Sequence, residues 1–175
     1  MHRLFVAIRP PDEVRDALID LMGGISGARW QDDDQLHLTL RFIGEVDSRA
    51  ADDIHAALGA IHQPRFELAI SGLGMFDRRG VPEVVWAGVT PPDPVHRLHK
   101  KADQAIVRAG LEPERRAFHP HITLARLGRG AGSVADFLAR GAASAPFTID
   151  SFSLIESHLT PERAVYQEVE RYPLA

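Results

Sequence analysis

Apolar residues recur at helical spacing in four segments of the chain. In the first, Val14, Leu18 and Leu21 fall three or four residues apart and therefore share one face of a helix. Gly23 and Gly24 follow at once and favour the end of that helix. The same reasoning predicts helices over residues 14–21, 54–61, 95–109 and 134–138.

Short runs rich in β-branched and aromatic residues lie between these helices and indicate strands. We predict strands at residues 4–9, 28–30, 36–43, 66–70, 84–89, 120–127, 147–155 and 164–169. Each half of the chain then follows the order strand, helix, strand, helix, strand, which indicates an internal duplication. Two related halves are expected to pack face to face and to leave a cleft between them.

The composition limits the kinds of function open to the chain. It is that of an ordinary globular protein, with 45% hydrophobic and 25% charged residues. The absence of cysteine excludes disulfides and thiol nucleophiles and fits a cytoplasmic protein. No window approaches the roughly 18 apolar residues of a membrane helix, so no membrane association is expected. A net charge of −4 argues against binding of long nucleic acid through many phosphate contacts.

Two of the predicted strands carry the same tripeptide, His-x-Thr, at His37–Thr39 and His121–Thr123. Because side chains alternate along a strand, each histidine shares a face with its threonine, and the apolar residue between them faces the core. Nine histidines and five threonines predict less than one such tripeptide by chance, yet two occur at equivalent places, 84 residues apart. One copy alone would more often be structural, but the matched pair indicates a shared site.

These residue types suit the hydrolysis of a cyclic phosphate diester. The reaction needs a base for the incoming water and an acid for the departing sugar oxygen. Histidine has an unperturbed pKa of about 6.5, so a neutral and a protonated imidazole can coexist near neutral pH. The threonine hydroxyls can donate hydrogen bonds to phosphate oxygens on which charge develops in the transition state. No metal ion or other cofactor is needed for this chemistry.

The motifs and their surroundings resemble the 2H phosphoesterase superfamily and, within it, the RNA 2′,3′-cyclic phosphodiesterases, also called 2′-5′ RNA ligases. The likeness spans nearly the whole chain, and the sequence around His121 is its most specific part. The matching segments are Arg3–Ile8, Leu36–Val46, Gly72–Phe76, Val85–Gly88, Phe118–Arg126 and Ser151–Ser157.

The resemblance implies an α+β fold of two lobes related by a pseudo-two-fold axis. Each lobe is expected to be a mostly antiparallel sheet with helices on its outer face, and the active-site groove lies between the lobes. Residues 1–175 would then form a single bilobal domain of two interleaved repeats, with the His-x-Thr strands at 36–43 and 120–127.

The resemblance also implies an activity. Members hydrolyse a terminal 2′,3′-cyclic phosphate of RNA to a 2′-phosphomonoester, and some reversibly join RNA through a 2′-5′ bond without ATP. The expected partner is RNA with such an end, tRNA fragments among them. The protein is expected to be a monomer with no obligate protein partner.

Motif position assigns the roles that residue order alone leaves open. By the resemblance, His37 is the proton donor to the leaving 3′ oxygen and His121 is the proton acceptor that activates water. Thr39 and Thr123 are expected to hold the phosphate.

Two arginines are further candidates for phosphate binding. Arg126 matches an arginine that contacts phosphate in relatives, yet strict alternation from His121 places it on the opposite face. A β-bulge, or the end of the strand, would reconcile the two. Arg41, four residues after His37, has the right parity for the same task, and its alternative role is that of a solvated strand arginine.

Other histidines have simpler interpretations. His119 and His121 have a spacing that can bind zinc, but a zinc site needs three or four ligands and no others are evident, so no metal site is predicted. His96 and His99 are predicted to lie on a solvated helix face.

Aromatic side chains could stack on a base of single-stranded RNA. Trp30 is the strongest candidate, although core packing is the more common role for it as for the others, which are Phe5, Phe76 and Phe118. Phe42 has the parity of the apolar strand face and is assigned to the core.

Two other functions stay open at this point. One is a cyclic phosphodiesterase of the same superfamily that acts on a small nucleotide, which the acidic balance allows. The other is a non-catalytic module that binds RNA ends, against which the two intact motifs argue.

Overall fold

A nine-stranded sheet lies at the centre of the structure, and every strand pairing in it is antiparallel. The structure is a computed structural model and describes residues 1–175. The strands, β1 to β9, are His2–Ile8, Ala28–Trp30, Leu38–Val46, Phe66–Arg78, Val81–Thr90, Ile122–Leu127, Phe147–Ile149, Ser151–Leu159 and Ala164–Pro173. The helices, α1 to α4, are Asp12–Leu21, Ser48–Gly59, Asp93–Arg108 and Ala135–Arg140. The predicted α+β class is confirmed.

The strand order gives the sheet an approximate two-fold symmetry. Outwards from the centre, one half runs β3, β1, β8, β9 and the other runs β6, β5, β4, β7, while β2 also pairs with β6. The central strands β3 and β6 meet at one residue pair, Leu38 opposite Ile122. The halves are thus joined edge to edge. The expectation that they pack face to face is wrong, because backbone pairing continues from one half into the other.

The chain crosses between the two halves at Asp150. The sequence predicts a single strand over residues 147–155, but the structure divides it into β7, which pairs with β4, and β8, which pairs with β1 and β9. The carbonyl of Asp150 accepts a hydrogen bond from the Leu174 amide at 2.8 Å, which fixes this crossing point. The final strands therefore complete the half that β1 and β3 begin, so this half takes its strands from both ends of the chain.

The hairpin of β4 and β5 is longer than the sequence predicts. The predicted strand ends at residue 70, but β4 continues through Gly72, which takes a φ of +82° within an irregular part of the pairing. Glycine adopts this left-handed conformation at little cost, so the strand bends there and continues to Arg78.

The helices cover one face of the sheet, and β1 shows how the two faces differ. Leu4, Val6 and Ile8 join a core of 32 buried residues that includes apolar side chains from all four helices. Phe5 points the other way and joins a small second cluster, to which no helix contributes. None of the helices is long and apolar enough to span a membrane.

Candidate active site

The two His-x-Thr motifs meet where the halves of the sheet join. The histidines directly precede Leu38 and Ile122, which face each other across β3 and β6. Extension of this antiparallel register places His37 opposite Thr123 and Thr39 opposite His121. Side chains in such positions are about 4.5–5.5 Å apart at Cβ. The two motifs therefore form one four-residue cluster on the face of the sheet opposite the helices.

All four motif side chains line one cavity of about 570 Å³. Arg3, Arg116 and Arg126 also line it, and no carboxylate does. The remaining lining residues are Phe5, Gln31, Gln35, Phe42, Ser157, Leu159, Ala164 and Tyr166. The chain as a whole carries a net charge of −4, so this cavity is a local concentration of positive charge suited to an anion.

Backbone carbonyls orient the two imidazoles in equivalent ways. Nδ1 of His121 donates a hydrogen bond to the carbonyl of His119 at 2.6 Å. His37 is likewise hydrogen-bonded to the backbone of Gln35, two residues before it. A neutral imidazole that donates from Nδ1 has Nε2 as its unprotonated nitrogen. His121 therefore has Nε2 available as a base.

Aromatic rings hold both histidines in place. The centroid of the His37 ring lies 4.9 Å from that of Phe5 and 5.2 Å from that of Tyr166. The His121 ring lies 4.8 Å from Phe76, edge to face. These contacts restrict ring rotation, and they also remove water from around the imidazoles.

Both imidazoles are harder to protonate than a free histidine. Burial lowers the pKa of His37 to about 4, and the positive charges of Arg9 and Arg126 act in the same direction. Burial also lowers the pKa of His121, with Arg126 contributing. Both rings are therefore neutral in the unliganded protein near pH 7.

The low pKa of His37 predicts a loss of stability in mild acid. Below pH 6.5 the unfolded chain binds a proton on this histidine that the folded state does not bind until about pH 4. The stabilisation is therefore complete above pH 6.5 and declines as the pH falls towards 4, by at most about 1.4 kcal/mol per pH unit. Urea unfolding of the parent and of His37→Gln between pH 4.5 and 7.5 measures the effect.

Other groups also titrate in this range, so the decisive quantity is the difference between parent and variant. We expect the free energy of unfolding of His37→Gln to fall less steeply with decreasing pH. Equal slopes for the two proteins would contradict the buried, neutral state of His37.

A bulge follows each motif at the same position. Leu40, three residues after His37, is an extra residue in the pairing of β3 with β1. Leu124, three residues after His121, is likewise an extra residue in the pairing of β6 with β5. A bulge reverses the alternation of side chains that follow it. The fifth residue after each histidine, rather than the fourth, therefore returns to the cavity face.

The bulge resolves the conflict over Arg126. This arginine is the fifth residue after His121, and the bulge places it among the residues that line the cavity. It is exposed and forms no hydrogen bond or ion pair within the protein. Its side chain is thus free to meet an anion.

The expectation that Arg41 faces the cleft is wrong. The bulge at Leu40 turns Arg41 to the helix side, where only 7% of its side chain is exposed. Its Nε donates to Oδ1 of Asp103 on α3 at 2.7 Å, and its other nitrogens donate to the carbonyls of Phe42 and Glu112. Arg41 holds the bulged strand against α3 and is not available to a phosphate.

The same bulge overturns the assignment of Phe42 to the core. Phe42 is 47% exposed and lines the cavity, nearly parallel to the ring of Phe5 at 6.0 Å between centroids. The guanidinium of Arg3 lies 5.6 Å from the centre of the Phe42 ring. Phe42 thus presents an aromatic face beside the motif cluster.

The prediction of a solvated helix face is wrong for His99. Its Nδ1 lies 2.7 Å from the carbonyl of Leu40, the bulged residue, and its ring stacks on Phe118 at 4.0 Å. His96 is exposed, with its edge towards Phe118. His99 therefore helps to position the bulge rather than meeting solvent.

The remaining candidates have structural surroundings. Trp30 is half-buried against Phe137 and the main core, and it also lines a groove beside the cavity. His119 packs against Phe76 and Trp86. No group of three or more histidine, cysteine, aspartate or glutamate side chains is arranged to hold a metal ion.

Sequence reasoning did not single out several residues of the cavity, among them Arg3, Arg116 and Tyr166. Arg3 has the same strand parity as Phe5, so the alternation of β1 could have placed it on the cavity face. Arg116 and Tyr166 come from a loop and from β9, and both reach the cavity only through the tertiary fold. No local pattern marks either of them.

The fold and the site together define a class of protein. Two His-x-Thr motifs, related by the symmetry of one antiparallel sheet, meet in an arginine-lined cavity, as in a two-histidine phosphoesterase. The sequence model of the 2′-5′ RNA ligase superfamily matches residues 10–161. The chain therefore belongs to this superfamily, and the resemblance noted from its sequence is confirmed.

Individual relatives cover nearly the whole chain. An RNA 2′,3′-cyclic phosphodiesterase of Escherichia coli is 31% identical over 177 residues, which cover 99% of this chain and 97% of the relative. One from Archaeoglobus fulgidus is 28% identical and covers 95% of this chain and 97% of its own. One from Aeropyrum pernix is 40% identical over 97 residues, a match that spans 55% of each chain.

Solved structures agree with these sequences. The crystal structure of TT0787 of Thermus thermophilus superposes with a TM-score of 0.85 at 29% identity and covers 98% of this chain and 97% of its own. The structure of E. coli LigT complexed with 3′-AMP has a TM-score of 0.81 at 29% identity and covers 99% and 98%.

Proposed function

We propose that this chain hydrolyses the 2′,3′-cyclic phosphate at the end of an RNA to a 2′-phosphomonoester, by general acid–base catalysis with two histidines. The observation that carries the proposal is the cluster of His37, Thr39, His121 and Thr123 in one arginine-lined cavity. The names of the relatives support the choice of substrate.

In the proposed reaction, water attacks the phosphorus and the bond to the 3′ oxygen breaks. His121 accepts a proton from the water through Nε2, which its hydrogen bond to the His119 carbonyl leaves unprotonated. His37 donates a proton to the departing 3′ oxygen. If the 5′ hydroxyl of a second RNA attacked in place of water, the same two proton transfers would release the 3′ oxygen and leave a 2′-5′ phosphodiester, so hydrolysis and ligation would use the same groups.

Substrate binding prepares His37 for its role as an acid. With a pKa of about 4, this histidine is neutral in the free protein near pH 7 and has to gain a proton before it can donate one. The phosphate diester brings a negative charge into the same cavity. An opposite charge within about 4–6 Å favours the protonated imidazole and raises its pKa.

Hydroxyl and guanidinium groups hold the phosphate in this proposal. Thr39 and Thr123 lie on the same face as the histidines and can donate to the non-bridging oxygens. Arg126 adds a fixed positive charge where the negative charge grows. No metal ion takes part in this arrangement.

Phe42 is proposed as the platform for the terminal base. Its ring is 47% exposed, is backed by Phe5 and lines the cavity that holds the motifs. Since a base stacked on an aromatic side chain contributes about 1–3 kcal/mol, Phe42→Ala is expected to raise KM about tenfold. Steady-state kinetics on a cyclic phosphate end measure this, and Phe42→Tyr, which keeps the ring, should retain most of the affinity. Equal KM values for the alanine variant and the parent would exclude stacking on Phe42.

The direct test is incubation of the purified protein with a short RNA that ends in a 2′,3′-cyclic phosphate, in the presence of EDTA. We expect conversion to a 2′-phosphate end, with a bell-shaped dependence of rate on pH from one acid and one base. Persistence of the cyclic end at every pH between about 5 and 9 would refute the proposed function.

We also propose that residues 1–175 act as one domain and as a monomer in the cytoplasm. One core cluster of 32 residues includes side chains from both halves of the sheet and from all four helices. The lack of cysteine suits a reducing compartment. Sedimentation of the purified protein measures its oligomeric state.

A further inference from the structure

Two arginines face each other across neighbouring strands at the edge of the cavity. Arg29 on β2 is the direct cross-strand partner of Arg126 on β6, so the two side chains project from the same face. Like charges in directly opposite positions destabilise a sheet. Both side chains are exposed, and neither forms a hydrogen bond or an ion pair with any other group. No ion pair within the protein offsets their repulsion.

A second groove extends from the cavity past this arginine pair. It has a volume of about 450 Å³ and shares five lining residues with the cavity. The shared residues are Gln31, Gln35, Arg126, Ala164 and Tyr166. Arg126 therefore lies at the boundary, whereas Arg29 lines only the outer groove. A chain that leaves the cavity by this route passes both arginine side chains.

Among the arginines that line the outer groove, only Arg29 and Arg126 form no ion pair. Arg163 also lines the groove, but it is neutralised by Asp32 at 2.8 Å and by Asp34 at 2.5 Å. Glu162 is the second lining carboxylate, and it forms no ion pair with Arg29 or Arg126. The free positive charge is thus located on Arg29 and Arg126.

We propose that Arg29, together with Arg126, binds the phosphodiester on the 5′ side of the terminal nucleotide, so that the preferred substrate is an RNA end of at least two nucleotides. This inference rests on the proposed function, because it continues the strand whose cyclic phosphate occupies the cavity. A phosphate between two guanidinium groups replaces their repulsion by charge-assisted hydrogen bonds. An isolated nucleoside 2′,3′-cyclic phosphate has no phosphate at this position.

The test compares two substrates with the same terminal nucleotide. One is adenosine 2′,3′-cyclic phosphate, which lacks a 5′ phosphate, and the other is a diadenylate with a 2′,3′-cyclic end. We expect the parent to have the higher kcat/KM on the dinucleotide. In Arg29→Gln the ratio of dinucleotide to nucleoside kcat/KM should fall about ten- to a hundredfold, as loss of a hydrogen bond to a charged group predicts.

Arg97→Gln is the matched control. Arg97 is an exposed arginine on α3 that forms no ion pair, and its loss gives the same change in net charge. Its substrate ratio should equal that of the parent. Because Arg29→Gln removes a repulsion, its melting temperature should equal or exceed that of the parent, which separates a binding effect from unfolding.

Salt dependence provides a second readout. Added salt screens an exposed contact between an arginine and a phosphate and so weakens it. The affinity for the dinucleotide should therefore fall less steeply with salt concentration in Arg29→Gln than in the parent or in Arg97→Gln.

The possible failures are distinguishable. Turnover of both substrates with the same ratio in the parent and in Arg29→Gln would overturn this inference and leave the proposed function intact. No turnover of either substrate by the parent would overturn the proposed function and this inference with it.

Discussion

Replacement of His121 by alanine is expected to lower kcat on a cyclic phosphate end by about 10²–10⁴-fold, because a positioned general base contributes that much to proton transfer. His37→Ala is expected to lower kcat by a similar factor, through loss of the general acid. Single-turnover kinetics at saturating enzyme measure the chemical step directly.

The control for these variants is His62→Ala, which removes an exposed histidine outside the cavity. It should retain the activity of the parent. The double variant lacking both cavity histidines should be little worse than the poorer single variant, because the two groups act on one reaction as a unit. Retention of more than about a tenth of the activity by either single variant would exclude that histidine from acid–base catalysis.

Replacement of Arg41 by methionine is expected to lower the free energy of unfolding by about 3 kcal/mol. Removal of one member of a buried ion pair costs about 3–5 kcal/mol, and the lower value applies here because the Asp103 side chain is 20% exposed. The carbonyls of Phe42 and Glu112 also lose their donors. Urea unfolding with linear extrapolation measures the change.

A matched control for Arg41 exists on the surface. Arg115 pairs with Glu112 at 3.8 Å, and both side chains are more than 80% exposed. Arg115→Met should therefore change the free energy of unfolding by less than about 1 kcal/mol. If Arg41→Met kept full stability but lost affinity for inorganic phosphate, the sequence-based role of Arg41 would be right and its structural role wrong.

The motif cluster could be predicted from the sequence because it depends on local alternation. His37 and Thr39 share a face in any strand, and so do His121 and Thr123. Their apolar neighbours decide which face meets the core. The two motifs occupy equivalent places in a duplicated chain, and this predicts that they meet each other. It does not predict that the halves of the sheet are joined edge to edge.

The positions beyond the bulges could not be predicted by the same rule. The bulges at Leu40 and Leu124 depend on the strands that pair with β3 and β6. The spacing of apolar residues along the sequence does not indicate them. The predicted alternation of side chains between the two faces is correct before each bulge and reversed after it. For this reason Arg41 and Phe42 exchange the faces that the sequence predicts for them.

The crossing of the chain between the halves at Asp150 could not be predicted from the sequence either, because it also depends on which strands pair. Residues 147–155 have continuous strand character, and each part of the run pairs well. What divides the run is a change of partner, from β4 to β1, which is a property of the assembled sheet. Arg116 and Tyr166 enter the cavity through tertiary structure in the same way.

The matching bulges have a consequence for the product of the reaction. A cyclic phosphate offers two ester oxygens to two motifs that are related by an approximate two-fold rotation, so the motifs alone do not fix which oxygen is released. The choice would depend on differences between the halves, among them the different aromatic surroundings of His37 and His121. The fifth position after each histidine adds another difference, with an aromatic ring in one half and a guanidinium in the other. In the proposed function, regioselectivity would thus draw on two side chains that take no part in proton transfer.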